Sequence, residues 1–268
     1  MSSSSLATES MPVRPVVLVT GAARRLGRAI ALDLAAAGWD VAVHHRASSD
    51  DARQTCSALV GCGARAEAFA ADLADEEAAR ALPQHVARTF GRLDAVVNNA
   101  SLFEYDDATD FSAELAARHW RVNTLAPVLL AQGLHELLRE RGGQGCVVNI
   151  LDQKLWNPNP DYLSYTLSKA ALLEATTLLA QALAPILRVV GVAPGVTLPS
   201  GTMTAAEFAT AHTLTPLGRA SAVDDVAQAV RYMLSAKAVT GTTLVVDGGQ
   251  HLAPQSRDVV FLARKQPE

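Results

Sequence analysis

The residues that most directly indicate chemistry are a tyrosine and a lysine four positions apart, Tyr165 and Lys169 in the stretch YTLSK. On a helix, this spacing places both side chains on one face. A tyrosine has a pKa of about 10 in water and is a poor acid or base at neutral pH. A nearby ammonium favours the phenolate and lowers that pKa. The pair is therefore predicted to pass a proton to or from an atom of a substrate that gains or loses a hydride.

A glycine-rich turn, TGAARRLGRAI at residues 20–30, lies between an apolar run and an amphipathic helical pattern. Gly21 permits a tight turn, and Gly27 lets the helix approach the strand closely. The N-terminus of that helix offers backbone N–H groups and a positive dipole end to a pyrophosphate. Glycines also serve simple packing at such junctions. Their place after the first strand favours a dinucleotide site.

The residues after the second apolar run indicate which dinucleotide is bound. NAD-preferring sites place an acidic residue there for the ribose 2′-hydroxyl. This chain has His44, His45 and Arg46 instead, and its next acid is Asp50. The Arg46 guanidinium can form a fork on a 2′-phosphate, and Arg24 adds positive charge. A solvated basic loop is the alternative, but the pattern favours NADPH over NADH.

Seven apolar runs alternate with helical patterns along the chain. Runs that are apolar on both faces and separated by helices indicate a parallel sheet covered on both sides. We therefore predict an α/β fold, a single-domain doubly wound Rossmann fold with a seven-stranded parallel sheet and helices on both faces. Asp72, after the third run, is predicted to accept from the adenine amino group or to cap a helix. The runs cover residues 16–20, 40–45, 65–71, 93–99, 145–151, 187–193 and 242–248.

The predicted Rossmann-fold domain covers residues 14–254, with a loop at about 196–222 that is long enough to form a substrate lid. Residues 1–13 are predicted to be a disordered lead, and residues 255–268 a C-terminal tail. The first residues, MSSSSLATES, lack the basic and apolar regions of a signal peptide.

Composition excludes several classes of function. The chain has 268 residues and a formal net charge of −4, which argues against non-specific nucleic-acid binding. It has no apolar run of membrane-spanning length. The cysteines form no metal-ligand pattern with histidine, and their odd number fits free thiols in a reducing compartment. A cytoplasmic protein with no metal, no nucleic-acid partner and no membrane partner is predicted. The cysteines are Cys56, Cys62 and Cys146.

Taken together, these motifs resemble the short-chain dehydrogenase/reductase family over residues 14–252. The matching pieces are TGAARRLG, NNAS, RVNTLAP, YTLSK, APG and VDGG. The family's catalytic set of asparagine, serine, tyrosine and lysine is matched at three positions, Asn123, Tyr165 and Lys169. The resemblance implies that Asn123 helps to hold Lys169 through a water relay. The serine position, thirteen residues before Tyr165, holds Asp152 instead.

Two departures, Arg25 in the glycine loop and Asp152 for serine, resemble the pteridine reductase branch of that family. The resemblance implies that Phe103, after NNAS, stacks on a pterin ring opposite the nicotinamide. It also implies that Arg25 leaves the loop to meet both cofactor phosphate and pterin. Asp152 and Tyr165 would relay a proton to a ring nitrogen. The alternatives are that Arg25 only solvates a helix start and that Asp152 only caps a loop.

Further contacts follow from the same resemblance. Ser101 is predicted to touch pterin or cofactor, while Pro194, Gly195 and Thr197 shape the nicotinamide pocket. The complete predicted cofactor set is Gly21, Arg24, Arg25, Leu26, Gly27, His44, His45, Arg46, Asp72, Leu73, Asn99, Ala100, Ser101, Tyr165, Lys169, Pro194, Gly195 and Thr197. The predicted substrate set is Arg25, Ser101, Phe103, Asp152 and Tyr165.

The predicted function is NADPH-dependent reduction of a pterin or folate C=N bond. One rival is a carbonyl reductase for oxoacyl thioesters or sugars, although an Asp152 carboxylate would repel a developing oxyanion. The other is a non-catalytic NADPH-binding sensor, which the intact tyrosine–lysine pair disfavours. A homotetramer is also predicted. The helical stretches at 111–140 and 162–184 are apolar on more than one face, and the family buries both between subunits.

Overall fold

Seven parallel strands form one sheet in the computed structural model, which describes residues 14–199 and 203–263. Their order is β3-β2-β1-β4-β5-β6-β7, and every neighbouring pair is parallel. The predicted lead at 1–13 lies outside the described residues. The strands are β1 Val16–Val19, β2 Asp40–His45, β3 Ala66–Ala70, β4 Ala95–Asn98, β5 Gly145–Ile150, β6 Leu187–Pro194 and β7 Thr243–Val246.

Helices cover both faces of the sheet, because the strands are apolar on both sides. One core lies between the sheet and α1, α2 and α8, and the other lies between the sheet and α3, α5 and α6. The predicted doubly wound fold is confirmed. The helices are α1 Arg25–Ala36, α2 Ser49–Gly61, α3 Glu76–Phe90, α4 Ala113–Trp120, α5 Ala126–Arg141, α6 Leu163–Ala182, α7 Ala205–Thr213, α8 Val223–Ser235 and α9 Val259–Leu262.

The order of the strands determines where a ligand can bind. The chain runs outward from β1 to β3 and then returns to place β4 on the other side of β1. The connections after β1 and β4 therefore leave the sheet in opposite directions. This divergence opens a crevice at the carboxyl ends of the two strands, which is the usual ligand site of such sheets.

The predicted helical stretch at 111–140 is interrupted. A π-helical turn, Arg121–Leu125, joins α4 to α5 and contains Asn123. Such turns insert an extra residue into a helix and occur often at functional sites. The second predicted stretch, 162–184, forms the single helix α6.

The predicted lid contains α7, whose first turn carries a capping box of Thr204 and Glu207. The apolar side of α7 packs against α9, and Ala211 and Val260 are buried in this small core. Described residues of the predicted C-terminal tail, 255–263, are thus packed beside the lid. Among the residues described, no helix is long and apolar enough to span a membrane.

Candidate active site

The glycine loop brings backbone, rather than side chains, to the crevice. Gly21 has a φ of +64°, in the left-handed region that favours glycine. A Cβ atom at Gly27 would lie 2.3 Å from the Gly21 carbonyl oxygen, so no larger residue fits there. The loop therefore forms a cradle whose N–H groups lie at the start of α1, as a pyrophosphate site requires.

The carboxyl end of β4 holds this loop in place. The hydroxyl of Thr20, which is buried, accepts hydrogen bonds from the backbone N–H groups of Asn99 and Ala100, both at 2.9 Å. The Asn99 side chain donates to the Thr20 carbonyl at 2.8 Å. Asn99 and Ala100 therefore line the predicted cofactor groove and also support its loop. Thr20 was not among the predicted site residues.

His44 also supports the loop. Its Nδ1 accepts from the Gly21 N–H at 3.1 Å, and its Nε2 lies 3.1 Å from the Ala71 carbonyl oxygen, to which it donates. Burial is the main cause that lowers the pKa of this imidazole to about 4. His44 is therefore neutral near pH 7 and adds no positive charge to the groove that it lines.

Positive charge at the adenosine end of the groove comes from arginine. Arg24 and Arg46 are exposed and line the groove together with His45 and Gly27. The buried Nδ1 of His45 has no hydrogen-bond partner among the described residues. A buried, unpaired polar atom beside two guanidinium groups fits a site for an anionic, hydrogen-bonding ligand.

Asp72 and Leu73 line an adjoining pocket with Arg46. The Asp72 carboxylate accepts from the Ala74 N–H at 2.9 Å within a turn. It does not cap α3, which was one of its predicted roles. The cap is Asp75, which accepts from the first N–H groups of that helix. The predicted contact between Asp72 and adenine stays a prediction.

Tyr165, Asp152 and Lys169 meet at the other end of the crevice. The Tyr165 hydroxyl donates to Asp152 Oδ2 at 2.8 Å. The backbone N–H of Lys154 donates to Asp152 Oδ1, also at 2.8 Å. Lys169 is buried, and its Nζ donates to the Ile150 carbonyl at 2.7 Å. The loop after β5 therefore places the carboxyl, and the first turns of α6 place the phenol and the ammonium.

Burial and mutual contact shift the pKa values of these three groups. Burial, followed by the Asp152 charge, raises the pKa of Tyr165 well above its ordinary value. Burial also raises the pKa of Asp152 and lowers that of Lys169 to about 8. The predicted lowering of the Tyr165 pKa by Lys169 is thus not seen. Lys169 Nζ lies 5.9 Å from the centre of the tyrosine ring, while the carboxyl contacts the hydroxyl directly.

Asn123 connects two walls of the site and does not contact Lys169. Its Oδ1 accepts from the Leu102 N–H at 2.8 Å, and its Nδ2 donates to the Leu102 carbonyl at 2.9 Å and to Ser168 Oγ at 3.0 Å. Ser101 Oγ also approaches Asn123 Oδ1, at 3.2 Å. Asn123 therefore fixes the loop after β4 against the helix that carries Tyr165.

Arg25 begins α1 with a φ of +55°, a conformation that costs a residue with a side chain about 1–2 kcal/mol. Its Nη2 donates to the Pro199 carbonyl at 2.7 Å in the predicted lid. The side chain lines both the cofactor groove, with Leu26, and the pocket that contains Asp152. Arg25 thus lies between the two predicted sites, and its contacts with phosphate and substrate stay predictions.

Phe103 lies in a cluster of aromatic rings at the edge of the pocket. It stacks on Tyr162 with the ring centres 4.2 Å apart and meets Tyr165 edge-on at 4.7 Å. Tyr105 and Phe261 continue the cluster beyond Tyr162. One face of Phe103 is thus occupied within the protein, and a flat substrate ring would have to use the remaining exposed part of the side chain.

The end of β6 closes the crevice. A Cβ at Gly195 would lie 2.8 Å from Gln250 Oε1, which accepts from the Val196 N–H at 3.2 Å. The Thr197 hydroxyl contacts the Gly195 carbonyl and Ser221. Pro194, Gly195 and Thr197 do line the pocket, as predicted for a nicotinamide site, together with Gln250, which the sequence analysis missed.

One wall of the pocket was not predicted at all. It consists of polar residues from the loop after β5 and from the C-terminal segment, which had been predicted as a tail. They are Lys154, Asn159, Gln255 and Asp258, joined by Val259. No periodicity or motif singles out these positions, although Lys154 follows Asp152 closely in the stretch LDQK.

The arrangement provides a long groove for a phosphorylated ligand that ends beside a hydrogen-bonded acid pair. The carboxyl and the phenol can together hold or deliver one proton. Within residues 14–199 and 203–263, no group of three or more histidine, cysteine or carboxylate side chains is placed to bind a metal ion.

Comparison with known proteins shows which proteins the chain is similar to. A family model described as enoyl-(acyl carrier protein) reductase matches residues 21–251. The 3-oxoacyl-[acyl-carrier-protein] reductase FabG of Staphylococcus aureus is 30% identical over 258 residues, which cover 90% of this chain and 100% of that protein.

Two solved structures are more similar in sequence. FolM alternative dihydrofolate reductase 1 from Brucella canis, complexed with NADP, is 41% identical, with a TM-score of 0.86, and the match covers 92% of this chain and 97% of that one. Its counterpart from Brucella suis, also with NADP, is 40% identical, with a TM-score of 0.83 and coverage of 91% and 98%.

Proposed function

The chain belongs to the short-chain dehydrogenase/reductase family, and within it we propose an NADPH-dependent reductase of dihydropterins, with dihydrofolate among its substrates. The observation that carries the proposal is the 2.8 Å hydrogen bond from the Tyr165 hydroxyl to Asp152 Oδ2. An acid pair at this position suits a C=N bond, which takes hydride at carbon and needs a proton at nitrogen.

The groove fits NADP(H). The Gly21–Gly27 cradle offers backbone N–H groups to the pyrophosphate. Arg46 and Arg24 would hold the 2′-phosphate, because guanidinium groups form charge-assisted hydrogen bonds with phosphate. The structures of the two Brucella relatives are complexes with NADP. When bound, NADPH supplies the hydride.

The proton is the part of the reaction that this chain's own residues control. Enclosure raises the pKa values of Asp152 and Tyr165, which favours the protonated form of each. The two groups thus act together as the acid in reduction. Lys169, whose pKa burial lowers to about 8, stays bound to the Ile150 carbonyl at the base of the pair. Its Nζ lies 5.9 Å from the centre of the Tyr165 ring, which suits the predicted contact with the cofactor more than ionising Tyr165.

Substrate binding is assigned to Phe103, Arg25 and Ser101. Phe103 offers apolar contact to a flat ring. Arg25 reaches the pocket from a strained backbone position, and retention of such strain is typical of functional residues. Ser101 lines the pocket beside Arg25 and can hydrogen-bond to a polar ring edge.

A carbonyl reductase is the second candidate, and the similarity to a 3-oxoacyl-[acyl-carrier-protein] reductase favours it. In that case Tyr165 would protonate a carbonyl oxygen, and Asp152 would need to stay neutral to avoid repelling the oxyanion. Reduction of a pterin therefore needs Asp152 to help deliver a proton, whereas reduction of a carbonyl needs it only to stay uncharged.

Initial rates of NADPH oxidation with dihydrobiopterin and dihydrofolate, compared with a panel of ketones and 3-oxoacyl thioesters, test the proposal. We expect turnover of the pterins in the wild type and its loss in Tyr165→Phe. Turnover of ketones or thioesters with no turnover of either pterin would contradict it. A thermal shift on adding methotrexate together with NADPH gives a binding measurement that does not depend on turnover.

We also propose a homotetramer in the cytoplasm. Three apolar side chains on α4 and α6 are about half exposed in the single chain, namely Trp120, Leu167 and Leu178. Exposed apolar residues grouped on helices favour burial against another copy of the chain.

A further inference from the structure

Four charged residues form a cluster beside Asp152 that the proposed mechanism does not use. Lys154 is 3% exposed, and its Nζ lies 3.5 Å from Asp258 Oδ2. The same ammonium donates to the Asp161 carbonyl oxygen. The Asp161 carboxylate in turn accepts from Arg257 at 2.9 Å and from the Asp258 N–H at 2.6 Å. These hydrogen bonds and ion pairs thus join the C-terminal segment to the loop after β5.

Stability alone is a poor explanation for this cluster. Removing charges from water is costly, and apolar residues of similar size often stabilise a protein as well or better than a buried ion pair. Lys154 and Asp258, moreover, line the same pocket as Asp152. The Lys154 backbone also donates directly to Asp152 Oδ1. The ion pair is therefore built against the proposed catalytic carboxyl.

The charges around Asp152 can be assigned element by element. Lys154 approaches from its own turn, Tyr165 and Lys169 from α6, and Asp258 from the C-terminal segment. Arg25 lines the same pocket. Lys154 favours the ionised carboxyl and so lowers the pKa of Asp152, whereas Asp258 raises it. While the pair is intact, these two effects oppose each other.

We propose that Lys154 and Asp258 are a positioning pair that holds the C-terminal wall against the pocket and balances the charge felt by Asp152. The proposal deepens the function proposed above and rests on the role that it gives to Asp152. Neither side chain has to touch the substrate. The pair acts through Asp152: because its two charges oppose each other, burial continues to favour the protonated carboxyl.

Removing one charge at a time tests this balance. In Lys154→Met, the uncompensated Asp258 should move the titration of Asp152 to higher pH. In Asp258→Asn, the uncompensated Lys154 should move it to lower pH. Each shift should be about one pH unit, as for a charge a few ångströms beyond direct contact. The double variant should titrate close to the wild type, and Lys237→Met, an exposed lysine on the surface, should change nothing.

Carbon-13 NMR of carboxyl-labelled aspartate in the full chain measures the titration directly, with the Asp152 signal assigned by its loss in Asp152→Asn. Asp258→Asn should fold, since the amide keeps the cap on the Val260 N–H. If Lys154→Met fails to fold, Lys154→Gln replaces it. If the pKa of Asp152 shifts in the same direction in both single variants, or in neither, the proposal is overturned. The cluster would then only hold the C-terminal segment in place.

The pH profile of dihydropterin reduction provides the functional readout. If Asp152 acts as an acid, the alkaline limb should move up in Lys154→Met and down in Asp258→Asn, with NADPH affinity unchanged. A wild type that does not reduce dihydropterins would refute the proposed function but leave the NMR test intact. Normal turnover with unmoved profiles in both variants would refute only the positioning role.

Discussion

Replacing Asp152 by serine distinguishes a proton-relay carboxyl from a carboxyl that only caps a loop. Asp152 accepts two hydrogen bonds of 2.8 Å, from the Lys154 N–H and from the Tyr165 hydroxyl. A serine hydroxyl can still accept from the N–H two residues later, as in turns that begin with serine. The serine side chain is one bond shorter than that of aspartate, however, and its hydroxyl does not ionise near neutral pH. Asp152→Ser therefore retains the cap and removes the acid pair.

The expected loss is that of a positioned proton donor, a factor of about 10²–10⁴ in rate, or about 3–5 kcal/mol in the activation free energy. NADPH affinity should stay within twofold or so, because Asp152 lies outside the groove formed by the glycine loop and Arg46. Tyr165→Phe should lose at least as much rate, since Asp152 would then lack its hydrogen-bonded partner.

Single-turnover reduction of a dihydropterin at saturating NADPH is the appropriate assay, because it separates the chemical step from product release. Asp224→Ser, a change at an exposed position in the first turn of α8, is the matched control and should behave as wild type. A wild-type rate in Asp152→Ser would refute the relay. It would also remove most of the case for a pterin over a carbonyl substrate.

Three further results are expected. Arg46→Ala should weaken NADPH binding by about ten- to a hundredfold, because it removes one charge-assisted hydrogen bond, and should have little effect on NADH binding. Titration of cofactor fluorescence measures both affinities, and an unchanged preference for NADPH would refute the role of Arg46. Burial lowers the pKa of His44 to about 4 in the folded chain, whereas the same imidazole has a pKa of about 6.5 when the chain is unfolded. Between these two pH values the unfolded chain therefore binds more protons than the folded chain. The wild type should therefore lose stability as the pH falls through this range, and His44→Gln should show a smaller loss in Tm across it. Leu167→Glu with Leu178→Glu should convert the proposed tetramer to smaller species in light scattering, and a wild type that is already a monomer in dilute solution would refute the proposed assembly.

The fold was predictable because its signal is local and repeated. Each strand is a short apolar run such as VVLV at Val16–Val19, and a helix follows each of the first six. The spacing of Tyr165 and Lys169 likewise depends on one helix only. Both features could be predicted without knowing which distant segments of the chain contact each other.

Most of the features that were predicted wrongly or not predicted depend on contacts between distant segments. The direction of the Tyr165 pKa shift follows from enclosure and from the placement of Asp152 on a different element. The pairing of Lys154 with Asp258 joins the loop after β5 to the end of the chain. The cap of α3 is a local exception, because Asp72 and Asp75 both precede that helix and it is Asp75 that accepts from its first N–H groups. The other outcomes depend on tertiary packing, which has no periodic signature.

The aromatic cluster around Tyr162 has a consequence for the order in which the protein matures. Its rings come from the loop after β4, the start of α6 and the C-terminal helix, so Phe103 and Phe261 join one cluster from opposite halves of the chain. The glycine cradle and Arg46, by contrast, lie within the first fifth of the sequence. During synthesis the cofactor cradle therefore emerges early, whereas the reaction pocket is completed only after Asp258 and Val259, which line it, have left the ribosome. A nascent or C-terminally shortened chain thus has the elements of a nucleotide cradle without an enclosed place to carry out the reaction.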